Sequence, residues 1–150
     1  MVNLIKIRDY QPTDKEKVLK LIRLNTPEFF ASEEEEDLKE YLETKRELYY
    51  VVLMDGEIVG CGGVNFQDNQ TMAIISWDIF HPEYQGKSLG TQLMKHRLSK
   101  LNTIESIEKT IVRTSQLAYK FYEKQGFQLL EIKKDYWAEG LDMFYMKLIK

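Results

Sequence analysis

Apolar positions along the chain change period several times, from alternation to helical spacing and back. Val2, Leu4 and Ile7 with Lys6 and Arg8 interleaved predict a first strand, which Pro12 ends. Thr13 and Glu16 have capping-box spacing, and Val18, Leu21, Ile22 and Leu24 follow at helical intervals, predicting a helix from about Asp14 to Leu24. Pro27 breaks it, and a second box, Ser32 with Glu35, opens a helix carrying Leu38, Tyr41 and Leu42 on one face. Leu48 to Met54 and Glu57 to Val64 are β-rich runs joined by Asp55-Gly56, a pair suited to the positive φ angles of a tight hairpin. A turn near Asp68-Asn69 leads into an apolar strand from Thr71, extending an antiparallel meander. Leu89, Leu93, Met94, Leu98 and Leu101 then predict a central helix, Ile107 to Val112 a strand, and Ser115 to Gln125 a helix closed by Gly126. Phe127 to Ile132 and Met143 to Ile149 predict two last strands, with Lys133 to Asp142 as a loop carrying Tyr136 and Trp137. This order predicts an α/β fold, a mixed sheet with helices on both faces. No repeat or linker interrupts residues 1–150, which read as a single domain.

The chain of 150 residues is 43% hydrophobic, enough to bury about two-thirds of its unfolded surface. A net charge of -3 argues against nucleic acid or an anionic membrane as partner, because both reward clustered Lys and Arg. The opening residues MVNLIKIRDY lack the apolar core of a secretory leader and no stretch is long enough to span a bilayer, so the expectation is a cytoplasmic protein. Cys61 is alone in an apolar run and reads as a small buried filler. His81 in a turn and His96 on a polar helix face lack the company of a metal site, so no metal is expected. Gly60, Gly62 and Gly63 would weaken a strand and imply close approach by a helix or a ligand. The acidic run Glu33 to Asp37 suits the dipole of the helix it opens, or forms a rim that attracts amines.

Thr71 to Leu101 organises the rest: a strand, a tight loop and a helix. The first N–H groups of a helix lack intrahelical partners, so this end is either an anion site, with Gln85 and Lys87 assisting and Gly86 and Gly90 admitting a phosphate, or an ordinary turn. Gly86-Lys87-Ser88 is not the end of a P-loop, since His81 stands where that motif needs its earlier glycine.

Gln85-Gly86-Lys87-Ser88-Leu89-Gly90, led by Phe80-His81-Pro82-Glu83-Tyr84, resembles the acetyl-CoA loop of the GNAT (GCN5-related) N-acetyltransferase superfamily, Q/R-x-x-G-x-G/A, with Ser88 in place of a glycine. Ser115 to Phe127 resembles a second GNAT motif, N-x-x-A-x-x-x-Y-x-x-x-G-F, with Ser115 in place of the cofactor-contacting asparagine. The resemblance spans nearly the whole chain. It implies a mostly antiparallel sheet of about seven strands with a splayed pair at the acetyl-CoA site, and acetyl-CoA as cosubstrate. By carry-over the backbone of Asp78, Ile79 and Phe80 holds the pantetheine arm, residues 85–91, Thr91 included, hold the pyrophosphate, Ser115 contacts the cofactor, and Tyr122 protonates the leaving thiolate. Tyr136 and Trp137 resemble a substrate-side segment of enzymes that acetylate protein N-termini, or simply cover a sheet edge.

Acetyl transfer from a thioester to an amine needs a neutral nucleophile and a proton for the departing sulfur. Strand alternation places Ser76, Asp78 and Phe80 on one face, which makes Asp78 the candidate base. The glutamate frequent in the family is replaced here by Ile74. The expected function is N-acetylation of a primary amine, on a small molecule or a peptide N-terminus, and a homodimer is compatible with this. The competing expectation is a GNAT-fold module that binds acyl-CoA without turnover, as a sensor or interaction domain.

Overall fold

In the computed structural model, which describes residues 4–149, the chain runs β1 (Ile5–Asp9), α1 (Lys15–Leu24), α2 (Glu34–Glu40), β2 (Leu48–Met54), β3 (Glu57–Gln67), β4 (Met72–Phe80), α3 (Leu89–Leu101), β5 (Lys109–Thr114), α4 (Tyr119–Lys124), β6 (Phe127–Ala138) and β7 (Leu141–Leu148). The strands form one sheet in the order β1-β2-β3-β4-β5-β7-β6. Only β4 and β5 are parallel; every other pairing is antiparallel. Among the described residues no helix is long and apolar enough to cross a membrane.

Central strands are apolar on both faces because both are covered. Tyr49, Val51, Cys61 and Ile79 pack with α1 and α2, whereas the alternate residues Tyr50, Val52 and Val59 pack with Leu89 and Leu93 of α3. Farther along the sheet, Ile75 and Val112 meet Met94 of α3 and Tyr122 of α4. The Asp55-Gly56 turn takes positive φ at both residues, 52° and 86°, as the hairpin reading requires.

Several local expectations change. The first strand is described over Ile5–Asp9, and Val2 lies outside the described residues. Neither capping box is used as written. The Asp14 carboxylate accepts the Gln11 N–H (2.9 Å) and both terminal nitrogens of Arg8 (2.8 and 3.0 Å), and a single 3-10 turn precedes α1. Glu34 accepts the Ala31 N–H (2.8 Å), freeing Glu35 to pair with Arg23. Helix α4 starts at Tyr119 because Ser115 to Ala118 form a turn, in which the Ser115 carbonyl accepts the Ala118 and Tyr119 amides. The loop expected over Lys133 to Asp142 is mostly strand: β6 runs to Ala138 and turns tightly at Gly140 (φ 81°) into β7.

The change that matters most is in β4. Gly63 pairs with Ser76 and Cys61 with Ile79, so Gly62 stands opposite both Trp77 and Asp78. This is a bulge, with Trp77 at φ 52°. The extra residue breaks the alternation: Ser76 sits beside Tyr41 and Trp77 packs on Tyr41 and Phe30, both on the α1–α2 side, while Asp78 turns toward α3 and α4. Ser76 therefore does not share a face with Asp78 and Phe80.

Arg8 holds the Asp14 carboxyl below the usual aspartate range, against a smaller opposing effect of burial. Asp14→Ala should lower unfolding free energy at pH 7 by about 1.5–3 kcal/mol, the range for hydrogen bonds to a charged group. A depressed folded-state pKa contributes stability above the unfolded value and loses it as pH falls through the folded one, so urea titrations of the two proteins should begin to converge only as pH falls below about 4.

Candidate active site

β4 and β5 pair only from Met72–Lys109 to Ile75–Val112. Beyond that point they part, and the notch between them opens into a cleft of about 780 Å³. That volume lies within the range of small-molecule sites. Its walls are the second half of β4, the loop and first turn of α3, the end of β5, and α4. The residues at the mouth of α1, Asn25, Phe29 and Phe30, close one end together with Glu34.

The α3 end facing the cleft leaves its first amides open. Ser88 stands at its N-cap in the left-handed region (φ 58°), and its hydroxyl donates to the Lys87 carbonyl (2.7 Å) instead of capping. The first amides of the helix are thus left without a side-chain cap. Gly86, at φ 79°, has open space where a Cβ would be. Gly90 has a different job: a Cβ there would lie 3.0 Å from two carbons of the Phe121 ring, so the glycine admits α4 against α3. Thr91 strengthens that contact by accepting a hydrogen bond from the Gln125 side chain (3.1 Å).

Of the residues singled out from sequence, Asp78, Ile79, Phe80, Gln85, Gly86, Ser88, Leu89, Gly90, Thr91, Ser115, Tyr122 and Trp137 line the cleft. Lys87 is exposed beside it. Tyr136 is 52% exposed outside the lining and meets Trp137 edge to face, while Trp137 donates its indole N–H to the Thr114 carbonyl (3.0 Å). Ser115 accepts the Leu117 N–H (3.2 Å), which stabilises the turn into α4.

Asp78 and Tyr122 meet in the cleft wall, where the Tyr122 hydroxyl donates to Asp78 Oδ2 at 2.7 Å. Arg97 of α3, 1% exposed, grips the same carboxylate with both terminal nitrogens, NH1 to Oδ1 and NH2 to Oδ2 at 2.9 Å. NH1 also donates to the Gly63 carbonyl (3.2 Å). Both Asp78 oxygens are therefore already engaged. Burial and then the Asp78 charge push the Tyr122 phenol well above its usual range, while Arg97 opposes the shift. Burial would lower Arg97, but the Asp78 charge and hydrogen bonds outweigh it and keep the guanidinium charged.

Three contributors, Arg97, Asn25 and Phe30, were not singled out from sequence, and a fourth, Glu34, was read only as part of the acidic run Glu33 to Asp37. Arg97 had a signal: Leu89, Leu93, Arg97 and Leu101 follow at intervals of four, so a charge stands in the apolar stripe. Asn25, buried at the end of α1, donates to the Leu21 and Phe80 carbonyls (2.8 and 3.0 Å) and so ties α1 to the unpaired end of β4. Phe30 stacks on Trp77 with ring centroids 6.3 Å apart. Glu34 carries a carboxyl that burial pushes above the usual glutamate range, against the pull of the Ala31 amide and with the help of Asp37 and Glu33. Burial pushes the Cys61 thiol up to about 12, so it is not a nucleophile at neutral pH.

Comparison with known proteins fits this geometry. The model of the Acetyltransferase (GNAT) family matches residues 16–127, and the chain belongs to that family. It is 28% identical to an N-alpha-acetyltransferase of Sulfurisphaera tokodaii over 94% of this chain and 90% of the relative. The fold is shared with the ribosomal-protein-S18-alanine N-acetyltransferase of Escherichia coli, at TM-score 0.79 and 18% identity over 97% of this chain and 93% of that one. It is shared too with an aminoglycoside 6′-N-acetyltransferase complexed with coenzyme A, at TM-score 0.75 and 17% identity over 95% of both chains. The family uses acetyl-CoA.

Removing one partner of a buried, hydrogen-bonded ion pair leaves the other charge uncompensated. Asp78→Ala should accordingly lower unfolding free energy by about 3–5 kcal/mol in urea titrations. A loss under about 1 kcal/mol, the range of surface pairs, would show that Arg97 finds water or another partner.

Proposed function

We propose that this chain transfers the acetyl group of acetyl-CoA to a primary amine, on a small molecule or a peptide N-terminus, with Tyr122 as the acid. The observation that carries this reading is the Tyr122 hydroxyl, fixed by Asp78 in the wall of a cleft that also receives the uncapped end of α3. The residues present suit acetyl-CoA: the uncapped amides at the start of α3 and the open space at Gly86 for its pyrophosphate, and the backbone of Asp78 to Phe80, beyond the last β5 partner, for its arm. When bound, acetyl-CoA supplies an activated thioester. Tyr122, protonated throughout the neutral range, donates to the departing sulfur. Asp78, which already accepts three hydrogen bonds, serves to orient that phenol, and the amine gives up its proton to water.

Glu34 and the aromatic wall of Phe30 and Trp77 support an amine-attracting end of the cleft. That end is built from the connection between α1 and α2, the first residue of α2 and Trp77 of β4, on the opposite face of the sheet from the Asp78 side chain.

A positioned acid contributes about 10²–10⁴-fold in general. Here the phenol titrates above a free thiol of about 8.5, so full proton transfer to the thiolate is uphill and the hydroxyl acts mainly by hydrogen-bonding the developing charge. Tyr122→Phe should lower kcat by roughly ten- to a hundredfold with the KM for acetyl-CoA unchanged. Thiol release across a panel of amines and N-terminal peptides measures this. A folded variant with the wild-type kcat removes the acid role, and saturable CoA binding without thiol release from any amine would instead support a binding module.

Glu34→Gln should raise the amine KM by about two- to tenfold, as for loss of a partly solvated ion pair, and leave kcat nearly unchanged. Because the Glu34 carboxyl titrates above the usual glutamate range, the advantage of the wild type over the variant should shrink as pH falls through that raised value. Equal amine KM values at pH 8 would exclude a Glu34 contact.

A further inference from the structure

We infer that Arg97 is a positioning residue for the acetyl transfer, acting through Asp78 on the hydroxyl of Tyr122; this rests on the reading of Tyr122 as the acid. Three structural facts converge on the guanidinium. It crosses from α3 to the sheet and grips Asp78 with both terminal nitrogens, while Asp78 Oδ2 also accepts from Tyr122 at 2.7 Å. Gly62 leaves the space it needs, since a Cβ there would overlap Asp78 Oδ1 and lie 2.9 Å from Arg97 NH1. Its Nε is, among the described residues, the one buried side-chain nitrogen or oxygen without a hydrogen-bond partner.

Stability does not account for such a group. Apolar residues of similar volume often stabilise a fold as well as a buried ion pair does, and an orphaned Nε adds a cost. The arrangement does serve the reaction. As the amine nitrogen bonds to the acetyl carbon and the carbon–sulfur bond breaks, the Tyr122 O–H turns from Asp78 to hydrogen-bond the departing sulfur. Negative charge then grows beside Asp78. Arg97 reduces that encounter from two uncompensated anions to one. The thiolate leaves hydrogen-bonded to Tyr122, which keeps its proton, and water takes the one lost by the amine, so the protons balance. Arg97 touches neither the thioester nor the amine in this scheme; it fixes Asp78 as an anion that orients the phenol, and it offsets the charge that grows beside that anion.

Arg97→Met tests this in two ways. First, the Tyr122 hydroxyl proton, assigned by its loss in Tyr122→Phe, is followed by NMR at pH 7 without acetyl-CoA. Without the two guanidinium donors Asp78 is no longer held in place and its hydrogen bond with the phenol loosens, so the signal should move upfield or exchange too fast to be seen. Second, a double-mutant cycle is read with acetyl-CoA and the amine that the wild type turns over fastest. Arg97→Met should lower kcat at least tenfold, with the KM for acetyl-CoA within twofold, and should cost nothing further in a Tyr122→Phe background. Losses that multiply, or an unchanged hydroxyl signal, overturn the proposal while leaving the acid role standing. A Tyr122→Phe kcat equal to wild type overturns both. If Arg97→Met does not fold, Arg97→Lys keeps the charge but loses the two-pronged grip, and the same signal and cycle are read with it.

Discussion

A carboxylate placed between a sheet and a helix cannot be left alone, and much of the site follows from that requirement. Asp78 is turned inward by the bulge at Trp77, and once inside it needs a cation and further donors. Arg97 supplies the charge and Tyr122 a third hydrogen bond. Gly62 supplies room, because any side chain there would meet the carboxylate and the guanidinium together. Bulge, glycine, arginine and tyrosine thus work as a set spread over β3, β4, α3 and α4. The same contacts that neutralise the charge fix the phenol in the wall of the cleft.

The cleft exists because a parallel pair is allowed to fail. β4 and β5 stay together over four residues each and then part, leaving the end of β4 without a β5 neighbour. Asn25 recovers one of the freed groups by donating to the Phe80 carbonyl, and Tyr49 does the same for Trp77 at 2.9 Å. The notch meets the start of α3, whose amides are uncapped because Ser88 turns its hydroxyl to Lys87. The surface that the proposed acetyl-CoA placement uses is therefore mainly backbone. The fold itself is kept at 18% identity in the Escherichia coli protein.

Alternation and helical spacing carried the element order, the Asp55-Gly56 hairpin and the central helix, because each depends on neighbours within a turn or two. The two motif stretches located the loop before α3 and placed Tyr122 on α4. Local reading failed where a contact from elsewhere competed. Asp14 rather than Thr13 satisfies the start of α1 because Arg8 of the adjacent strand reaches it. The Tyr136-Trp137 segment became strand because β7 pairs with it through Ala138 and Leu141.

What the sequence determined by itself was the order of elements, the two motif stretches and the residues that pack a two-faced sheet, since those follow from residue type and short-range spacing. Tertiary structure decided how they face one another. A single extra residue at Trp77 reversed the sides of Ser76 and Asp78, and it registers only in the pairing of β4 with β3. Arg97 was visible as a charge in an apolar stripe, but its partner lies 19 positions away on another element. Burial gave that charge its meaning: the same arginine on a solvated face would be one more surface cation, and only the closed interior obliges it to hold Asp78.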